Sequence, residues 1–169
     1  MKITEQEIAD YMIEREFSGL QMQAVADVFA EFAERKQEGS VNFLLKCSRL
    51  PMKNSKTFEN FDFSELSGKG LEKLKSITTL APLYAHRNLA FIGPAGTGKA
   101  HLAMAFGYEC CKRMLKTCFI KMTELNDMFT EARKYGRENR VISSLVKPSC
   151  LVIDEVGYCN FDTENTRLF

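Results

Sequence analysis

Tryptophan is absent from this chain, histidine occurs twice and proline four times, and formal net charge is close to zero at +1. Each shortage excludes something. Two histidines, His86 and His101, cannot build a histidine-rich metal centre. The six cysteines (Cys47, Cys110, Cys111, Cys118, Cys150 and Cys159) contain no C-x-x-C pair, so they read as reduced thiols that pack like small hydrophobes rather than as a zinc site. A near-neutral chain carries no global field toward nucleic acid or membrane. No apolar run reaches the length of a membrane span, and the start "MKITEQEIAD" has no secretory character, so no membrane association and a cytoplasmic location are expected. Repeats and low-complexity tracts are missing too. What remains is 45% hydrophobic and 27% charged over 169 residues, the composition of one globular domain with an extension.

The extension comes first. Residues 1–42 read as an N-terminal helical region, with apolar positions Ile8, Tyr11 and Met12, then Leu20, Ala24, Val25, Val28, Phe29 and Phe32 at helical spacing. Ser18-Gly19 suggests a break, and Gly39-Ser40 an end. Residues 1–40 hold four basic and nine acidic side chains, whereas residues 41–87 hold eight basic and four acidic. Residues 43–87 read as a linker, interrupted by Pro51 and Asn54-Ser55, and a helix over Leu71–Ala81 stopped near Pro82. Phe58, Phe61 and Phe63 punctuate the linker. Aromatics among basic residues can contact nucleic acid, but docking of the linker onto the following domain is the favoured reading.

From Asn88 to Phe169 the texture becomes strand, loop, helix. "NLAFIG" predicts a buried strand, "KAHLAMAFGYECCKRML" a helix, "TCFIKM" a second strand and "TELNDMFTEARKYG" a helix. "RENRVISSLVKP" predicts another helix and "CLVIDE" a third strand. Such alternation specifies an α/β fold with a parallel sheet flanked by helices.

Two stretches carry chemistry. "GPAGTGKA" supplies Gly93, Pro94, Ala95, Gly96, Thr97, Gly98, Lys99 and Ala100, followed by His101, between the first strand and its helix. Glycines permit positive φ and let backbone N–H groups approach a phosphate, the helix N-terminus adds its dipole, and lysine adds a point charge. About fifty residues on, "CLVIDE" ends its strand in Asp154 and Glu155. In a nucleotide site such an aspartate supports magnesium, and the neighbouring glutamate polarises the attacking water. Together they specify a P-loop NTPase with Walker A and Walker B elements.

"NLAFIGPAGTGKAHLAMAFGYECCKR" with "LVIDEVGY", preceded by "LPMKNSKTFENFDF", resembles the IstB-like ATP-binding proteins. These are AAA+ class helpers of insertion-sequence transposases, related to DnaC-type helicase loaders. The resemblance implies an AAA+-like P-loop domain binding ATP with Mg2+, and Gly93 through His101 as the cofactor-binding stretch. It also implies Asp154 as the metal carboxylate, Glu155 as the catalytic carboxylate, a transposase or replicative helicase as partner, DNA contact, and a homo-oligomer in the full-length protein. Arg133, Lys134, Arg137, Arg140 and Lys147 are candidates for a DNA-facing surface; with Glu131 and Glu138 among them, a solvated face is the alternative.

Two departures qualify that inheritance. The family has threonine where this chain has Ala100. Losing a hydroxyl that ligates magnesium costs about 1.5–3 kcal/mol, about one to two decades in metal-assisted affinity or rate. The second departure concerns the sheet. By resemblance its order is 5-1-4-3-2, and the three strands predicted here correspond to one, two and three. Residues 88–169 are therefore expected to be an incomplete P-loop ATPase domain, truncated after the Walker B strand. Its loop strand should pair abnormally or leave exposed edges. The expected activity is ATP binding with defective hydrolysis. A helicase loader in DNA replication and a non-enzymatic interaction module remain open.

Overall fold

The computed structural model describes residues 4–14, 19–66, 70–158 and 161–169. The expected break at Ser18, the side chains of Ile8, Met12 and Leu20, and Cys159 lie outside the described residues. Residue contacts divide the chain into units 1–40 and 41–169.

In the first unit, α1 spans Glu5–Glu14 behind a reciprocal cap. The Thr4 hydroxyl accepts from the Glu7 N–H at 3.3 Å, and the Glu7 carboxylate accepts from the Thr4 N–H at 2.7 Å, satisfying donors that a helix start leaves orphaned. α2 spans Gly19–Ser48 and crosses the boundary between units. Three residues of its predicted stripe face solvent: Val28, Phe29 and Phe32 are 65%, 46% and 64% exposed.

Gly39-Ser40 does not end α2. The Ser40 hydroxyl donates to the Lys36 carbonyl at 2.9 Å, a back-bond that helices tolerate, and one mid-helix glycine costs only about 1 kcal/mol. Continuing the helix places Leu45, 4% exposed, in the core of the second unit. The real stop is Ser48. Its buried hydroxyl donates to the Leu45 carbonyl at 2.7 Å and accepts from the Leu50 N–H at 3.1 Å, while Arg49 turns left-handed at φ 62, the usual way a helix is closed. The predicted helix at 71–81 is also revised. It is a short α3, Leu71–Lys75, a 3-10 turn and α4, Ala81–Tyr84, with Pro82 inside the first turn of α4 rather than ending a helix.

The rest of the second unit is α5 (Lys99–Lys112), β1 (Thr117–Lys121), α6 (Met122–Lys134), α7 (Glu138–Val146), β2 (Cys150–Asp154) and α8 (Thr163–Leu168). β1 and β2 pair in parallel, with Phe119 opposite Val152, Ile120 opposite Ile153 and Lys121 opposite Asp154. Alternation along each strand makes two cores. Phe119 and Val152 join Phe106 and Cys110 of α5, together with Leu45, Leu50 and Leu80. Ile120 meets Leu125 and Phe129 of α6, with Ile153, Val141 and Phe161 packed alongside. Helices therefore cover both faces of a small parallel sheet, the α/β arrangement the alternation predicts.

The expected strand over 88–93 does not form. Those residues adopt no regular element and pair with neither described strand. Phe91 packs on the first core, whereas Ile92 is 92% exposed. Ladder pairing needs an adjacent strand, and in the order the resemblance implies, this segment's neighbours are neither β1 nor β2.

Candidate nucleotide-binding site

α5 carries the loop to the acids. Cys110, near its end, packs with Cys150 at the start of β2. Gly107 approaches β2 so closely that a Cβ there would lie 3.2 Å from Val152 and 3.3 Å from Thr117. α5 therefore runs opposite to the strands, and its N-terminus rises toward the end of β2 where Asp154 and Glu155 stand.

Within the loop, Gly96 and Gly98 are left-handed at φ 81 and 78, whereas Gly93 is not. Gly98 is the N-cap of α5, and no side chain caps it. The first amides of the helix are thus left to an anion, which the helix dipole also favours. Thr97 Oγ1 donates to the Pro94 carbonyl at 2.9 Å, and Lys99 Nζ donates to the same oxygen. The lysine is folded onto its own loop, where a phosphate can replace the carbonyl as its acceptor. Ala100 stands half-buried in the first turn of α5 with no oxygen to offer.

The His101 ring reaches back to the linker. Its Nε2 lies 2.9 Å from the Thr57 carbonyl and 3.0 Å from Asn60 Oδ1. The carbonyl can only accept, so Nε2 carries the proton. Asn60 is itself fixed, accepting from the Thr57 N–H at 2.8 Å and donating to the Ser55 carbonyl at 2.8 Å. Phe61 stacks edge-on against His101 at 5.1 Å and covers Gly98, where a Cβ would fall 2.6 Å from the ring. Farther along α5, Lys112 donates to Glu59 at 2.8 Å, which holds the Glu59 carboxyl down at about 2. The linker aromatics dock as expected: Phe61 on the loop and Phe58 on the core. That the docking point is the glycine loop itself was not legible from spacing, because hydrogen bonds spanning more than forty residues leave no local pattern.

At the acidic end, Asp154 Oδ1 accepts from the Glu155 N–H at 2.9 Å, and Glu155 is left-handed at φ 60. Glu155 Oε1 accepts from Lys121 Nζ at 2.9 Å. Sequence reasoning missed Lys121. Its signal is the strand pairing, which puts it directly across from Asp154. Bonding to Glu155 raises the Lys121 pKa above its ordinary value, so it stays an ammonium.

Residues 13–169 match the family described as IstB-like ATP binding protein. The chain belongs to that family. Its relatives include a Geobacillus stearothermophilus protein named for insertion sequence IS5376 and ATP binding, 36% identical over 82% of this chain and 54% of the relative. The IS232 counterpart of Bacillus thuringiensis subsp. berliner is 30% identical over 79% and 53%. The IS21 counterpart of Pseudomonas aeruginosa is 31% identical over 82% and 51%. The chain thus spans about half the length of these relatives.

For this IstB-like chain, the donor set bears on the metal the family implies. Among the described residues, no cluster of three His, Cys, Asp or Glu side chains could hold an ion. Magnesium usually keeps several waters and binds through one or two carboxylates plus substrate phosphates. Asp154 fits that role and Ala100 does not. Of the candidate DNA-facing cations, Arg133 is engaged internally by Asp162 and Asn165 at 3.0 Å, and Arg137 lies over the Tyr135 ring at 5.5 Å. Among the described residues, no helix is long and apolar enough to cross a membrane.

Proposed function

We propose that this IstB-like chain binds ATP across the N-terminus of α5, hydrolyses it poorly, and acts as a nucleotide-dependent helper of an insertion-sequence transposase. The observation that carries the reading is the uncapped start of α5, entered through two left-handed glycines and aimed toward the end of β2. The α5 amides and Lys99 would hold phosphates, with Lys99 exchanging the Pro94 carbonyl for a phosphate oxygen. Asp154 would hold magnesium, which when bound neutralises phosphate charge and supplies an electrophile. Glu155 would orient water, but Lys121 engages its carboxylate, and Ala100 provides no metal ligand. Both features support nucleotide binding over turnover. The names of the relatives support transposition rather than replication. DNA contact and self-assembly belong to the same proposal, with Lys134, Arg140 and Lys147 the remaining exposed cations for a phosphate backbone.

Titration of the chain with a fluorescent ATP analogue tests it. Saturable binding, competed by ATP and reduced at least about tenfold by Lys99→Ala, is the expected result. Equal binding by the Lys99→Ala variant would overturn the site.

A further inference from the structure

A half-open trough of about 420 Å³ lies against β1. None of residues 93–101, nor Asp154 or Glu155, lines it, so it is separate from the nucleotide site. Its walls come from three directions: Phe43 and Leu44 at the end of α2, Ile120 of β1, and Met128 and Leu145 of α6 and α7. Phe43 is 66% exposed at the lip. Two cations, Arg49 and Lys116, stand at this apolar trough. Both are exposed, and among the described residues neither enters an ion pair within 4 Å. Arg49 also acts on the half-buried Cys118 thiol in the trough wall, opposing the burial that pushes its pKa up.

Openness argues against an engulfed small molecule, which buries roughly 70–90% of its surface in its pocket. The apolar walls argue against a nucleic-acid backbone, which calls for clustered cations along a polar track. An apolar trough with paired cations suits a helix whose apolar side chains enter it while flanking carboxylates meet the charges. We propose that this trough docks an acidic amphipathic helix of a partner protein, with Arg49 and Lys116 selecting its carboxylates.

The test uses the full chain and a fluorescein-labelled 14-residue helical peptide with leucine and phenylalanine on one face and glutamates flanking them. A peptide with the same apolar face and lysine flanks is the control. Anisotropy should show saturable binding of the acidic peptide alone, weakening with added salt. Arg49→Glu/Lys116→Glu, its neutral counterpart Arg49→Gln/Lys116→Gln, and Phe43→Ser should each weaken it at least about tenfold, with circular dichroism unchanged. The acidic peptide should also slow N-ethylmaleimide alkylation of Cys118 severalfold without altering that of buried Cys110. Equal binding of both peptides, or binding indifferent to the charge substitutions, would overturn the proposal. So would displacement of the peptide by a single-stranded oligonucleotide, or concentration-dependent self-association that protects Cys118 without peptide.

Discussion

Lys121 Nζ and Glu155 Oε1 lie 2.9 Å apart and tie the last residue of β1 to the residue following β2. The pair joins the carboxylate that would orient water to a cation directly across the sheet from Asp154. Both side chains are about two-fifths exposed, so the contact contributes little to stability, about 0–1 kcal/mol. Its consequence is electrostatic. A fixed positive charge beside Asp154 opposes a second cation there.

Lys121→Met should therefore leave the unfolding free energy within about 1 kcal/mol of the parent while tightening magnesium-dependent ATP binding a few-fold in an Ala100→Thr background. Calorimetric titration with and without magnesium measures this. An unchanged magnesium dependence would remove Lys121 from the site.

Gly98 faces two constraints that Ala cannot meet together, a φ of 78 and the Phe61 ring 2.6 Å from any Cβ. Gly98→Ala should destabilise the fold by about 1–2 kcal/mol through the left-handed backbone alone and weaken nucleotide binding. Adding Phe61→Ala should relieve the steric part and leave the backbone part. Chemical denaturation of the three variants would show non-additivity; strictly additive losses would place the ring away from the glycine.

Asn165 is 1% exposed and anchors α8 to α6. Its amide donates to Asn126 Oδ1 and Thr130 Oγ1, both at 2.9 Å, and its carbonyl oxygen accepts from Arg133 at 3.0 Å. Replacement by alanine leaves buried partners unsatisfied, so Asn165→Ala should cost about 1–3 kcal/mol. An urea midpoint unchanged from the parent would contradict the network.

The Glu59–Lys112 contact ties linker docking to acidity. The Glu59 pKa falls from 4.5 to about 2, so its contribution is fully present above 4.5 and is lost as pH falls from there through about 2. Hydrogen exchange of the 55–61 segment should rise across that window. In Glu59→Gln the acid-dependent part of the rise should vanish. Both effects are small because the pair is exposed.

How much of this was legible beforehand differs by element. The helix α5, both paired strands and the two acids follow from local pattern, since apolar alternation and the glycine spacing are written in neighbouring residues. The two-faced sheet follows from the same alternation once Phe119 and Ile120 point opposite ways. Leu89–Ile92 misled because an apolar run identifies a segment suited to a strand, not the neighbour that makes it one. Gly39-Ser40 misled because burial of Leu45 outweighs a weak local breaker. His101 and Lys121 owe their roles to partners 44 and 34 residues away, beyond any motif.

Ala100 remains the decisive position, and the most direct measurement is calorimetric ATP titration of the parent chain and Ala100→Thr, each with and without magnesium. The parent should bind ATP with affinity little altered by magnesium. Ala100→Thr should gain about one to two decades when magnesium is added, the worth of one restored polar contact to a charged group. A parent chain that fails to bind ATP, or one whose affinity rises with magnesium as much as that of Ala100→Thr, would contradict the account.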